Sequence, residues 1–241
     1  MNFIQCYQLL KKRIMYRSKI ELHNVDCLPF MKQCEDNQFD LAIVDPPYGI
    51  NADKAQNAAA EARKKANGKS KAGRGWKEYK TTDWDNGIPN AEYWNELFRI
   101  SKNQIVWGGN YMTEHLPPSM GWIIWDKGQR DFSLADGEMA WTSFDKALRI
   151  FEMSRGKALA KNNEKGGRFH PTQKPTELYE WILSKYADEG DKIIDTHLGS
   201  GSIAIACDKM KFDLVGTEID SDYFTEANKR LDQHRRQQTL F

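Results

Sequence analysis

At 241 residues and 27.9 kDa, the chain is long enough for one α/β domain with a substantial buried core. Apolar side chains make up 40% of it, alongside 17 glycines, which excludes wholesale disorder. Its longest uncharged apolar runs fall far short of the roughly 18 residues that a membrane span needs, and the formal net charge of +1 by itself points to no partner.

Residues 1–19 hold apolar stretches, but Lys11, Lys12, Arg13, Arg17 and Lys19 interrupt or follow them and no small-residue cleavage site is present. No signal peptide is expected, and the address is read as cytoplasmic. Residues 20–28 alternate like a strand, and 29–34 suit a short helix. Residues 39–44 form an apolar run that stops abruptly at Asp45-Pro46-Pro47-Tyr48-Gly49, the pattern of a buried strand feeding a stiff loop. Pro89-Asn90 opens a helix over 90–101, with Tyr93, Trp94, Leu97, Phe98 and Ile100 at helical spacing. Strands are expected at 104–107, 121–125 and 138–144. The last third alternates more regularly: a helix over 175–185, a strand at 192–195, a glycine turn Leu198-Gly199-Ser200-Gly201-Ser202, a helix over 202–210, a strand from 212 to 216 ending at Thr217-Glu218, and a polar helix over 222–237. Strands alternating with helices imply an α/β domain with a mostly parallel sheet covered on both faces.

Charge is unevenly spread. Residues 51–80 carry nine Lys or Arg against three acidic residues, and 146–168 carry seven against two. Two basic segments on an acidic body match the electrostatic footprint of a polyanion, because Lys and Arg contacts to phosphates release counterions. The domain is therefore read as a single unit, 1–241, with basic insertions at about 51–85 and 145–169. Arg63, Lys64, Lys65, Lys69, Lys71, Arg74, Lys161, Lys165 and Arg168 are the candidate nucleic-acid contacts. Solvated loops are the plainer alternative. Cys6, Cys27, Cys34 and Cys207 make no CxxC pair, and the five histidines are scattered, so no metal site is expected.

Two strand-to-loop junctions carry unusual chemistry. In the first, glycines at 199 and 201 follow Asp195, and Glu218 ends the next strand. Glycines admit a ligand close to the backbone, and a carboxylate at the next strand end can accept both hydroxyls of a ribose. That suits a nucleoside cofactor, although Ala204 at the third glycine position leaves a dinucleotide open. In the second, two prolines after Asp45 remove backbone donors. The loop offers a carboxylate, a carbonyl and an aromatic face: Asp45 and the Pro46 carbonyl can accept the two hydrogens of a planar exocyclic amine while Tyr48 stacks on its ring. Trp107-Gly108-Gly109-Asn110-Tyr111 ends a further strand, either as a pocket wall or as an ordinary turn.

At these residues the chain resembles the amino-methyltransferases that carry methyl from S-adenosylmethionine to adenine N6 or cytosine N4 of DNA. Asp45–Tyr48 comes early and Asp195–Ser202 late, with His170-Pro171-Thr172-Gln173-Lys174-Pro175 directly before the latter. This order is similar to the β group of that family, a circular permutation of the usual one, and the likeness runs from about Ile20 to Arg230. It implies a Rossmann-like α/β fold with a seven-stranded methyltransferase sheet, and S-adenosylmethionine as cofactor. It also implies that Asp45, Pro46, Pro47 and Tyr48 hold a flipped base, with Asp45 also beside the cofactor. Asp195, Gly199 and Gly201 would contact the cofactor's methionine part, with His197, Ser200 and Ser202 on the same loop. Glu218 would take the ribose, Asp26 and Cys27 would lie beside the adenine, and Thr172, Gln173 and Lys174 would flank the methionine end. Asp at the first motif position is usual for adenine enzymes of the group and Ser for the cytosine ones, so adenine N6 is expected, with cytosine N4 as the alternative. DNA is the implied partner; dimers are common in the group, and a cognate restriction enzyme is a further candidate partner. Thr196 and His197 replace the usual Pro and Phe, which puts that wall's packing in doubt. Three other classes stand as alternatives: an RNA methyltransferase, a non-catalytic nucleic-acid-binding module, and a nicotinamide oxidoreductase.

Overall fold

The computed structural model describes residues 18–50, 87–130, 135–164 and 173–238. Among these, eight strands form one sheet: β1 (Ile20–His23), β2 (Phe39–Val44), β3 (Ser101–Trp107), β4 (Trp122–Asp126), β5 (Gly137–Thr142), β6 (Arg149–Glu152), β7 (Lys192–Asp195) and β8 (Asp213–Thr217). Their order is β1-β8-β7-β2-β3-β5-β4-β6. Only the β3–β5 and β4–β5 pairs are antiparallel, so the sheet is mostly parallel, as its alternation with helices predicts. The resemblance implies seven strands; the eighth is β6, which lies inside the second basic segment and pairs parallel to β4 at the sheet edge. Its Arg-Ile-Phe-Glu sequence is too short and too charged to stand out as a strand. Directly after it, residues Arg155–Glu164 form a helix, α3.

The remaining helices are α1 (Cys27–Met31), α2 (Ala91–Ile100), α4 (Thr176–Tyr186), α5 (Ser202–Met210) and α6 (Ser221–Gln238). Here the first expected strand is cut short. Asp26 caps α1 by accepting from the Leu28 amide at 2.9 Å, and Pro29 is tolerated because it falls in the first turn. Helix α2 follows its sequence signal: Asn90 caps it by accepting from the Tyr93 amide at 3.1 Å, and Tyr93, Trp94, Leu97 and Ile100 are buried along one face. No helix among the described residues is long and apolar enough to cross a membrane.

Side chains alternate across the sheet to build a core on each face. Leu41, Ile43, Ile105, Ile193 and Leu214 face α4 and α5, packing with Leu178, Ile182 and Ile203. Ala42, Val44, Val106, Ile194 and Val215 face α2, packing with Leu97 and Ile100. The connections from β2 run one way along the sheet and those from β7 the other, yet β2 and β7 are hydrogen-bonded neighbours, with Leu41 opposite Ile193 and Ala42 opposite Ile194. A crevice therefore opens beyond their carboxyl ends, where ligands of open α/β sheets bind. Asp45 follows β2 and Asp195 ends β7.

Candidate active site

A cavity of about 430 Å³ occupies that crevice, within the size range of small-ligand sites. Asp45 and Pro47 from the loop after β2 line it, together with His197, Leu198, Gly199 and Ser200 from the loop after β7 and Glu218 after β8. Asp26 and Cys27 close one end, and Gln173, Lys174 and Tyr179 come from the entry to α4 and its first turns.

On the β7 side the backbone turns through two left-handed glycines, Gly199 (φ 51°) and Gly201 (φ 66°), a conformation that other residues enter only at a cost. Glu218 stabilises this turn: its carboxylate accepts the Gly199 amide at 2.8 Å and the Asp220 amide at 2.9 Å. Burial pushes its carboxyl above the ordinary range, although those amides pull the other way. Each oxygen keeps a further lone pair for a ligand hydroxyl. Asp195 is only 2% exposed and accepts the His197 amide at 3.0 Å. Burial is the main cause that pushes its carboxyl up to about 8, so a cationic ligand in the crevice would favour its ionised form. The two residues that depart from the family's Pro-Phe form a polar wall instead. Tyr93 and Thr196 share a hydroxyl–hydroxyl hydrogen bond of 2.7 Å, and Thr196 Oγ1 meets His197 Nδ1 at 2.9 Å. Burial lowers the imidazole to about 4 and keeps it neutral.

On the β2 side, Asp45 is held at both oxygens. The Tyr48 hydroxyl donates to Oδ1 at 2.6 Å, and the Lys174 ammonium donates to Oδ2 at 2.5 Å. The Tyr48 ring lies nearly parallel to that of Tyr111, at 18° and 5.3 Å between centroids. Gly108, at φ +67°, lets the strand end approach: a Cβ there would lie 2.2 Å from the Tyr48 ring. Burial, with the Asp26 charge adding to it, pushes the Cys27 thiol up to about 12. Cys27 thus offers no thiolate nucleophile.

A family model described as DNA methylase, for the N6/N4 group, matches residues 124–229. The type II methyltransferase M.HpaI of Haemophilus parainfluenzae is 26% identical over 84% of this chain and 71% of its own length. The type II methyltransferase M2.DpnII of Streptococcus pneumoniae is 25% identical over 93% of this chain and 94% of its own. The crystal structure of the M1.HpyAVI–SAM complex superposes with a TM-score of 0.52 at 22% identity, covering 88% of this chain and all of that one. These matches support a DNA amino-methyltransferase of the N6/N4 family. The early Asp-Pro-Pro-Tyr loop and the late glycine loop, 150 residues apart, face one cavity.

Of the residues singled out from the sequence, Asp26, Cys27, Asp45, Pro47, Gln173, Lys174, His197, Gly199, Ser200 and Glu218 line the cavity. Pro46, Tyr48, Asp195, Gly201 and Ser202 are not among its lining residues. Ser202 donates to the Lys174 carbonyl at 2.8 Å, tying the glycine loop to the segment before α4. Thr172, Arg63, Lys64, Lys65, Lys69, Lys71, Arg74, Lys165 and Arg168 lie outside the described residues, and Lys161 lies in α3. Sequence reasoning missed Tyr179, one turn into α4, and Glu138, a lone carboxylate inside the apolar strand β5. That isolated charge is the signal that could have marked Glu138.

Proposed function

We propose that the chain methylates the exocyclic N6 amine of an adenine flipped out of DNA, using S-adenosylmethionine held by the β7-side loop. The observation that carries this reading is that Asp45 and Pro47 share one cavity with Gly199 and Glu218, so an amine and a nucleoside donor can meet there. The donor set fits the cofactor: Glu218 has lone pairs left for ribose hydroxyls, and the buried carboxyl of Asp195 gains from a nearby cation. When bound, S-adenosylmethionine supplies an electrophilic methyl carbon on a positively charged sulfur.

The chain's own work lies on the amine. An amine delocalised into a purine ring is a poor nucleophile. Asp45 and the Pro46 carbonyl accept its two hydrogens and draw it towards tetrahedral geometry, an interaction realised most fully in the transition state. Extruding the base from a duplex costs a few kcal/mol, and stacking on Tyr48 returns about 1–3 kcal/mol. Asp at position 45 supports adenine, by likeness to the adenine enzymes of the group. Cytosine N4 offers the same hydrogens to the same acceptors and is the alternative. Incubation with labelled S-adenosylmethionine and unmethylated DNA, followed by nucleoside analysis, should give N6-methyladenine. N4-methylcytosine would overturn the base assignment, and an absence of label in DNA would overturn the activity.

A further inference from the structure

Lys174 is 1% exposed at its side chain, and its ammonium serves more than Asp45. It also lies 3.2 Å from Glu138 Oε2 and 3.4 Å from the Tyr48 hydroxyl, over the indole of Trp107 at 4.9 Å from the ring centre. Glu138 in turn accepts from Lys127 at 2.6 Å. The four charged groups come from separate segments: the loop after β2, the end of β4, the start of β5 and the entry to α4. Two carboxylates and two ammoniums sum to zero charge, which is how buried ions are tolerated.

One carboxylate would suffice to neutralise Lys174. Glu138, already paired with Lys127, nevertheless lies within ion-pair reach of the same ammonium. Burial is the largest influence on it and pushes its carboxyl up, but Lys174 and Lys127 together outweigh that and hold it at about 2. It stays ionised and competes with Asp45 for the ammonium. A carboxylate gripped by an undivided cation is a weaker acceptor for a neutral amine than one whose cation is shared.

We infer that Lys174 and Glu138 are positioning residues for Asp45: Lys174 fixes Oδ2, and Glu138 draws the ammonium partly away, leaving charge and lone pairs for the target amine. This rests on the amine-methylation reading of the site. It gives Lys174 a task on the base side of the crevice, whereas the resemblance implies a place at the methionine end of the donor.

The test combines turnover with donor binding, measured by calorimetry without DNA. Glu138→Gln should lower kcat by about 10- to 100-fold, the scale on which small misplacements of a reacting group act, while the donor Kd moves less than about threefold. Glu138→Asp, which restores the charge, should recover part of that loss. Lys174→Met should lose at least as much kcat, and adding Glu138→Gln to it should cost nothing more, since Glu138 acts through Lys174. If Lys174→Met does not fold, the neutral Lys174→Gln replaces it with the same expectation. Wild-type kcat in Glu138→Gln would overturn the inference. So would single effects that multiply in the double variant, or a donor Kd that rises in step with the loss of kcat. Wild-type turnover and its loss in Asp45→Asn are the controls. An inert wild type defeats the reading of the site itself, whereas an active, Asp45-dependent enzyme indifferent to Glu138 defeats this inference alone.

Discussion

Replacing Asp195 with Asn should stabilise the free protein while weakening its hold on the donor. The carboxyl is raised from 3.8 to about 8, chiefly by burial, so the folded state binds its proton more tightly than the unfolded chain does. Stability then falls as pH rises through that window and levels off above it. At about 1.4 kcal/mol per pH unit, the roughly three units between 3.8 and pH 7 set a ceiling of about 4 kcal/mol. Asn removes this ionisation, and its Oδ1 can still accept the His197 amide. For a chain of this length about 2–4 °C of Tm accompanies each kcal/mol, giving a gap of up to ~8–16 °C. His197, lowered from 6.5 to about 4 by burial, gives a slope of opposite sign over its own window. The readout is therefore the difference between the melting curves of Asp195→Asn and wild type, not the wild-type curve alone. Calorimetric Tm values from pH 4 to 8.5 should coincide at the acid end and diverge towards pH 8. A gap independent of pH, or a variant less stable than wild type at pH 8, would refute the reasoning.

Other perturbations give equally direct outcomes. Asp45→Ala should abolish methyl transfer with circular dichroism unchanged; retained turnover would remove Asp45 from the chemistry. Tyr48→Phe keeps the stacking face but deletes the 2.6 Å donation to Asp45, a charged hydrogen bond of about 1.5–3 kcal/mol. Steady-state kinetics should show kcat reduced and the KM for DNA little changed. Gly108→Ala forces a Cβ into the Tyr48 ring at a left-handed residue. The backbone costs about 1–2 kcal/mol and the overpacking about 1–3 kcal/mol, so Tm and kcat should both fall. Glu218→Ala strands the Gly199 and Asp220 amides, and calorimetry should show donor affinity reduced at least ~10-fold, as expected when a buried charge-assisted hydrogen bond is lost.

Much of this was legible in the chain because the decisive signals are local. A strand that ends in Asp-Pro-Pro-Tyr, and another that ends in Asp followed by a glycine turn, mark their own carboxyl ends. Once the elements alternate, a parallel sheet brings such ends to one rim. The helix over 91–100 was visible for a similar reason, its cap and apolar stripe lying within one stretch. Strand β6 was hidden because four residues with charges at both ends carry no usable period. The grip on Asp45 was hidden for a different reason: Lys174 lies 129 residues away, and only the completed sheet brings the two together. Lys174 was placed by its motif beside the donor, and its side chain is found on Asp45 as well as in the lining of the cavity. Thr196 and His197 looked like a defect in the donor wall. With Tyr93 they make a hydroxyl–imidazole chain that no comparison of single positions would suggest.

The pairing of β2 with β7 also bears on how such a chain can be assembled. The acidic loop and the glycine loop are aligned by a seam of hydrogen bonds between neighbouring strands, not by the covalent path that joins them. Two separate polypeptides meeting along the same seam would rebuild the crevice. Fission, fusion or reordering of the coding sequence can therefore exchange the two halves while the place where they touch stays intact.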